Sequence, residues 1–297
     1  MPSEVDRSYD LRSDEKLGAG LKRVAAGRAE KALERLRGNG EDPADAIHGA
    51  RKDMKKLRAV LRLSRGSLPK HLYKEENRRY RDAARALSAS RDTEVKLETL
   101  DALAERDGGL PRQAVEAWRQ ILDRDREAAA NFTDAGATIE LIEEGLEGIQ
   151  RWPLEGDSWE LVGGEVKRAY RRGRRAMASA AADQSEESFH EWRKRAKDLW
   201  YQLRLLGPAW SGPLAAAAEE AHRLTDLLGD HHDLAVLRQD LRERRLGEDE
   251  TRALEAAIDA RQGQLAAEAL DLGRRLYAER PKAYARRLRR YWQAWRG

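Results

Sequence analysis

Apolar residues fall at positions 47, 50, 54, 57 and 61 of one segment and at 189, 192, 196, 199 and 203 of another. Steps of three and four give each segment a single buried seam along an α-helix. The same periodicity predicts helices over about 14–37, 43–65, 69–88, 92–106, 111–131 and 134–150. The break Arg151-Trp152-Pro153-Leu154-Glu155-Gly156-Asp157 follows, and helices resume over about 158–182, 185–206, 213–228, 232–245, 248–278 and 281–296. Pro43, Pro111, Pro208, Pro213 and Pro281 lie at the boundaries, as expected for proline in a first turn or just past a stop. Ser185, with Ser188, is placed to cap the helix that follows it. β-branched runs are absent, and Ala, Leu, Arg and Glu dominate, so the fold class is all-α.

Beside each seam runs a row of cations, about 100° around the helix. In the first segment it comprises His48, Arg51, Lys52, Lys55, Arg58 and Arg62; in the second, His190, Arg193, Lys194, Lys197 and Arg204. Sliding one segment onto the other superposes His48 on His190, Arg51 on Arg193, Lys52 on Lys194, Lys55 on Lys197 and Arg62 on Arg204. Asp53 is the single acid between His48 and Arg65. Like charges one turn apart repel, so such a row is tolerated mainly where something anionic neutralises it.

The repeat extends further. Leu21-Lys22-Arg23 resembles Val166-Lys167-Arg168 upstream, and Leu87 to Val95 resembles Leu228 to Val236 downstream, with Arg91 opposite His232. Landmarks at nearly constant separation predict an internal duplication and two similar helical bundles. Their rows would face each other across a pseudo-two-fold axis and make one basic groove or pore.

Composition narrows the chemistry. The net charge is only +4, from 57 basic and 53 acidic residues, so the basicity is local. There is no cysteine, which excludes disulfides, thiolate metal sites and cysteine nucleophiles. No apolar run approaches a membrane span, and the N-terminus lacks a signal core, so a cytoplasmic protein with no membrane partner is expected. Neither a Gly-x-Ser-x-Gly elbow nor a Gly-rich phosphate loop occurs, and no catalytic residue and no cofactor are expected.

Other cations are candidates for the same path. The tract Lys167-Arg168-Ala169-Tyr170-Arg171-Arg172-Gly173-Arg174-Arg175 contains no acid, and Lys167, Arg168, Arg171 and Arg175 share a face. A solvated patch is its alternative reading. Arg78, Arg81 and Arg85 recur at helical spacing. In the last helix Tyr284, Tyr291, Trp292 and Trp295 read as core packing rather than base-stacking platforms. Gly229-Asp230-His231-His232-Asp233 looks like a metal cluster, but the repeat places Arg91 opposite His232. Arg cannot ligate a metal, whereas Arg and His can both hold a phosphate oxygen, so no metal site is expected. Asp92 and Asp233 then read as N-caps or as orienters of the cation.

The two His-x-x-Arg-Lys-x-x-Lys helices and the two Leu-x-x-x-(Arg/His)-Asp-x-x-Val segments together resemble the CHAD family, the conserved-histidine α-helical domains. The resemblance covers nearly the whole chain. It implies a stand-alone domain over 13–297 after a tail at 1–12, made of two repeats at about 13–150 and 158–297. Each repeat would be a four-helix bundle, and the two would surround a basic central pore. It also implies non-enzymatic binding of inorganic polyphosphate and association with polyphosphate granules. By position, His48, Arg51, Lys52, Lys55, His190, Arg193, Lys194 and Lys197 match the pore-lining residues of such domains, and Arg91 and His232 match a further cation. Arg58, Arg62, Arg204, Lys22, Arg23 and the Lys167 tract extend the expected path. Ser88 stands where the second copy has Gly229, and Trp200 stands where the family pattern has Arg. Two other readings remain open at this level: a helical nucleic-acid-binding protein, and a metal-dependent phosphohydrolase.

Overall fold

The computed structural model describes residues 8–38, 40–87, 91–106, 110–129, 135–244 and 247–297. Among these, eleven α-helices and no strand occur. They are α1 (Leu17–Leu36), α2 (Pro43–Leu63), α3 (Lys70–Ala86), α4 (Arg91–Arg106), α5 (Arg112–Ala129) and α6 (Ala135–Gln150), followed by α7 (Glu160–Asp183), α8 (Glu186–Leu206), α9 (Ser211–Arg244), α10 (Glu248–Leu276) and α11 (Pro281–Arg296). The all-α expectation holds, and most boundaries agree with the periodicity. Asp42 caps α2 by accepting from the Ala44 amide at 2.9 Å, with Pro43 at the first helical position. The Ser185 hydroxyl accepts from the Ser188 amide at 3.2 Å and so caps α8, as the sequence indicated.

One expectation is corrected. The segments 213–228 and 232–245 are not two helices: α9 runs unbroken through Leu228-Gly229-Asp230-His231-His232-Asp233. A glycine inside a helix costs only about 1 kcal/mol relative to alanine. Here it is offset by flanking residues, Leu224, Leu228, Leu234 and Leu237, that are all buried. Asp233 is therefore mid-helix and not an N-cap. The side chains of Arg91 and Asp92, their counterparts in the first half, lie outside the described residues.

Both predicted seams are buried. Ala50, Met54, Leu57 and Leu61 of α2, and Phe189, Trp192, Ala196, Leu199 and Leu203 of α8, are all at most 2% exposed. They belong to a large hydrophobic cluster that also takes residues from α1, α3, α6, α7, the first half of α9, the end of α10, and α11. Tyr284 and Trp292 sit in this core, as the sequence suggested. A second cluster packs Leu97, Leu100 and Leu103 of α4 and Trp118 and Leu122 of α5 against Leu234, Leu237 and Leu241 of α9 and Leu254, Ile258 and Leu265 of α10. Neither cluster is confined to one half of the sequence.

The mid-chain break is itself held in place. Asp157 Oδ1 accepts from the Leu17 amide at 2.9 Å, and the Gly156 carbonyl from the Gly18 amide at 3.1 Å, so this segment satisfies the amino end of α1. Gly18 is required there, because a Cβ would collide with the Leu154 carbonyl.

Asp53 also finds its role in the fold. It is 1% exposed and pairs with Arg28 of α1 at 3.0 Å and with Arg35. The one acid in the first cation row thus faces inward and ties α2 to α1.

Candidate functional site

On α2 the positions 48, 51, 52 and 55 recur at helical spacing beside the buried seam, so their side chains emerge together along one flank. On α8 the corresponding flank presents Arg193 and Lys197. α9 packs along α8, with Phe189 stacked on His231 at 4.4 Å and His190 against His232 at 4.3 Å between ring centroids. Gly229 keeps this wall low opposite Arg193: a Cβ there would lie 3.8 Å from the Arg193 Nε.

These three helices, with Val95 and Lys96 of α4, enclose a continuous cleft of two adjoining compartments, of about 580 and 530 Å³. His48, Lys52, Lys55, Arg193 and Asp233 line both. Arg51, Lys96 and His232 line the first compartment alone; Lys56, Lys197, Arg204, Trp200 and His222 line the second alone. The lining thus combines Arg51, Lys52, Lys55, Lys56, Lys96, Arg193, Lys197 and Arg204 with only three acids, Asp226, Asp230 and Asp233, all on α9. The α2 and α8 walls are cationic, and the α9 side is mixed.

The electrostatics reflect this crowding. Burial, reinforced by Arg193 and Lys55, lowers the Lys197 ammonium to about 7. Burial lowers Lys56 to about 8 against the opposing pull of Asp53. Burial, then Arg193, His190 and Lys197, lowers His232 to about 4. His190 is also lowered, by burial and by Lys194 and Arg193. Protonation of His190 is therefore disfavoured relative to a free imidazole. In the free cleft it is a neutral ring, because a further cation among so many is disfavoured. Asp230 is raised by burial and by Asp233. Arg193 Nε is buried and lacks a protein acceptor, an arrangement that an anion in the cleft satisfies.

The sequence-nominated cations divide into two groups. His48, Arg51, Lys52, Lys55, Arg193, Lys197, Arg204 and His232 line the cleft, with His190 behind His232. Arg91 has its side chain outside the described residues, and the others do not line the cleft. Arg62 pairs with Asp198 at 2.8 Å. Arg58 donates to Asn77 at 3.3 Å. Lys194 is exposed beside Glu191 at 3.8 Å. Lys22 donates to the Gln150 carbonyl at 3.3 Å, and Arg23 is held by Glu15 at 2.6 Å. Arg168 pairs with Glu165 at 3.4 Å, and Lys167, Arg171 and Arg175 are at the surface of α7. Lys56, Lys96 and Asp226 were not singled out in the sequence, whereas Asp230 and Asp233 were, in the discounted metal cluster, with Asp233 also read as a cap or an orienter of the cation. Lys56 lies one turn from Lys52, and Asp226 one turn from Asp230, so helical spacing could have found them.

No group of metal-ligating side chains able to hold an ion occurs among the described residues. No described helix is long and apolar enough to cross a membrane.

Comparison with known proteins adds the following. The profile of the CHAD domain matches residues 23–242. The fold is similar to that of PptA from Streptomyces chartreusis, with a TM-score of 0.66 at 16% identity over 89% of this chain and 100% of that one. It is also similar to the CHAD domain from the plant Ricinus communis, with a TM-score of 0.58 at 22% identity over 94% and 96% of the respective chains. No curated protein matches the sequence.

Proposed function

The chain belongs to the CHAD domain family, and from that premise we propose that it binds inorganic polyphosphate, without turning it over, in the cleft between α2, α8 and α9. The observation that carries this reading is the convergence of Arg51, Lys52, Lys55, Arg193 and Lys197 from two helices onto one cleft. Cations one helical turn apart stand about 5.4 Å from each other. That spacing suits a flexible polymer whose successive units are all anionic. Arg51 and Arg193 engage phosphate oxygens bidentately, and the lysines act as point charges. His232 donates a hydrogen bond as a neutral ring, and His48 supplies a further donor. Counterion release makes the affinity fall steeply with salt.

The matched rows on α2 and α8 read as half-sites of one duplicated unit, and the cleft between them as the basic pore of this family. Residues 13–297 then act as one domain of two repeats. Association with polyphosphate granules is part of the same proposal, since a protein that holds the polymer would be carried to where the polymer collects. The mixed α9 side favours a single-file anion over a broad duplex, and the cleft aromatics Trp200 and Tyr201 stack on each other at 4.7 Å, which disfavours base stacking.

The test is competition between labelled long-chain polyphosphate and single-stranded DNA at about 150 mM salt, where weak surface attraction is screened. Tight binding that DNA does not displace, with the polymer intact afterwards, supports the reading. Equal displacement by DNA makes the cleft a general polyanion surface, and shortening of the polymer in Mg²⁺ or Mn²⁺ makes the protein a hydrolase.

A further inference from the structure

Lys197 differs from the other amines of the cleft. Lys52 and Lys55 are exposed on α2. Lys96 is held by Asp240 at 2.7 Å, and Lys56 leans on Asp53 at 3.9 Å. Lys197 is half-buried in the wall of the 530 Å³ compartment and forms no ion pair among the described residues. Arg193 stands one turn before it on α8, on the same flank, and Lys55 faces it from α2. The acids that face it, Asp226 and Asp233 of α9, stay beyond ion-pair distance and pull only weakly against those cations. Burial and these neighbours bring its ammonium down to about 7, so near neutral pH a large share of this amine carries a free lone pair.

We propose that Lys197 is an acylation site, at which a small acyl phosphate held in the cleft by its phosphate group transfers its acyl group to Nζ. The inference rests on the phosphate-binding reading of the cleft. Arg193 is one turn from Lys197, close enough to fork onto the phosphate while the adjoining acyl carbon meets the amine. The Nζ lone pair forms the new N–C bond. The C–O bond to phosphorus-bound oxygen breaks, and inorganic phosphate leaves with the bonding pair. The amine proton passes to that phosphate or to water. The product is a neutral amide in place of a cation, so acylation removes one charge from the polyanion path and lowers its affinity.

The experiment uses the full chain with isotopically labelled acetyl phosphate, and site occupancy at each lysine is followed over time by peptide mass spectrometry. A parallel series uses p-nitrophenyl acetate, an acyl donor with no phosphate to capture. The expected result is acetylation of Lys197 faster than of Lys52 and Lys55 by about tenfold or more. That preference is greater with acetyl phosphate than with the ester, and it is abolished by excess inorganic phosphate. Arg193→Gln brings the acetyl phosphate preference down to that of the ester, and Lys55→Gln makes the same comparison from a different helix. Labelling of Lys197 no faster than of Lys52 overturns the proposal, as does an identical preference with both donors. Polyphosphate binding by the unlabelled protein is measured alongside. Intact binding without selective labelling removes only the acylation site, whereas selective labelling without polyphosphate binding removes the proposed function and leaves the site standing.

Discussion

Arg62 on α2 and Asp198 on α8 form an ion pair at 2.8 Å, and Asp198 also accepts from Arg195 at 2.9 Å. The two helices that carry the cation rows are thereby joined beyond the end of the cleft. Arg62 and Lys55 belong to the same row, one about two turns from the other, yet their charges meet different partners.

Substitutions at the two positions should therefore separate. Lys55→Glu, which puts an acid on the cleft wall, is expected to weaken polyphosphate binding by about tenfold or more and to flatten the slope of log affinity against log salt by about one. Arg62→Gln is expected to leave affinity within about twofold while lowering stability by about 1–2 kcal/mol, since Asp198 keeps Arg195 but loses its cross-helix partner. Fluorescence anisotropy over a salt series, with urea unfolding of each variant, checks both.

Asp53 makes a larger stability prediction. It is buried with Arg28, which is itself only 4% exposed. Asp53→Ala leaves a guanidinium buried without its counter-charge and is expected to cost about 3–5 kcal/mol. Replacing both residues with apolar ones of similar size should recover much of that loss. An unfolding midpoint for Asp53→Ala close to that of the parent protein would rule out this tie between α1 and α2.

The pH dependence of binding should come from lysine rather than histidine. Free Lys197 titrates at about 7 and Lys56 at about 8. A bound polyanion favours the protonated amine and raises both values, so binding takes up protons above pH 7. Affinity is expected to climb as pH falls from about 9 to 7 and then to level off. His232, at about 4 in the free cleft, adds to binding only on the acid side. Lys197→Arg should flatten the upper limb. A curve dominated by a step near 6.5 that survives in Lys197→Arg would return the imidazoles to the leading role.

The unbroken course of α9 predicts the effect of Gly229→Ala. A Cβ at this position meets only Arg193, at ordinary contact distance. The substitution should stabilise the protein by about 0.5–1 kcal/mol in thermal unfolding, because alanine is the better helix former. A glycine serving a turn would give the opposite sign.

Much of the site could be read from spacing, because seam and row are both local consequences of 3.6-residue periodicity. Met54 and Leu57 had to face inward once the pattern was seen, and His48, Lys52 and Lys55 had to emerge beside them. What periodicity could not give was the partner of each charge. Arg58, Arg62 and Arg23 look like Lys55 in sequence but meet Asn77, Asp198 and Glu15, residues distant along the chain or on other elements. The Gly229-Asp230 pair looks like a stop because glycine usually marks one. Its continuation through the helix was decided by packing on both sides, which is tertiary information. The neutral state of His190 likewise depends on burial and on crowding by cations that only the folded chain brings together.

The second hydrophobic cluster sets an order on how the chain can mature. Trp118 and Leu122 of α5 complete their packing against Leu254, Ile258 and Leu265 of α10. During synthesis on the ribosome, α4 and α5 emerge more than a hundred residues before their partners. Until then the apolar face that α4 and α5 share lacks its native cover from α9 and α10. α9, about 51 Å long at its 34 residues, then acts as a splint that brings the late-arriving half to the waiting one.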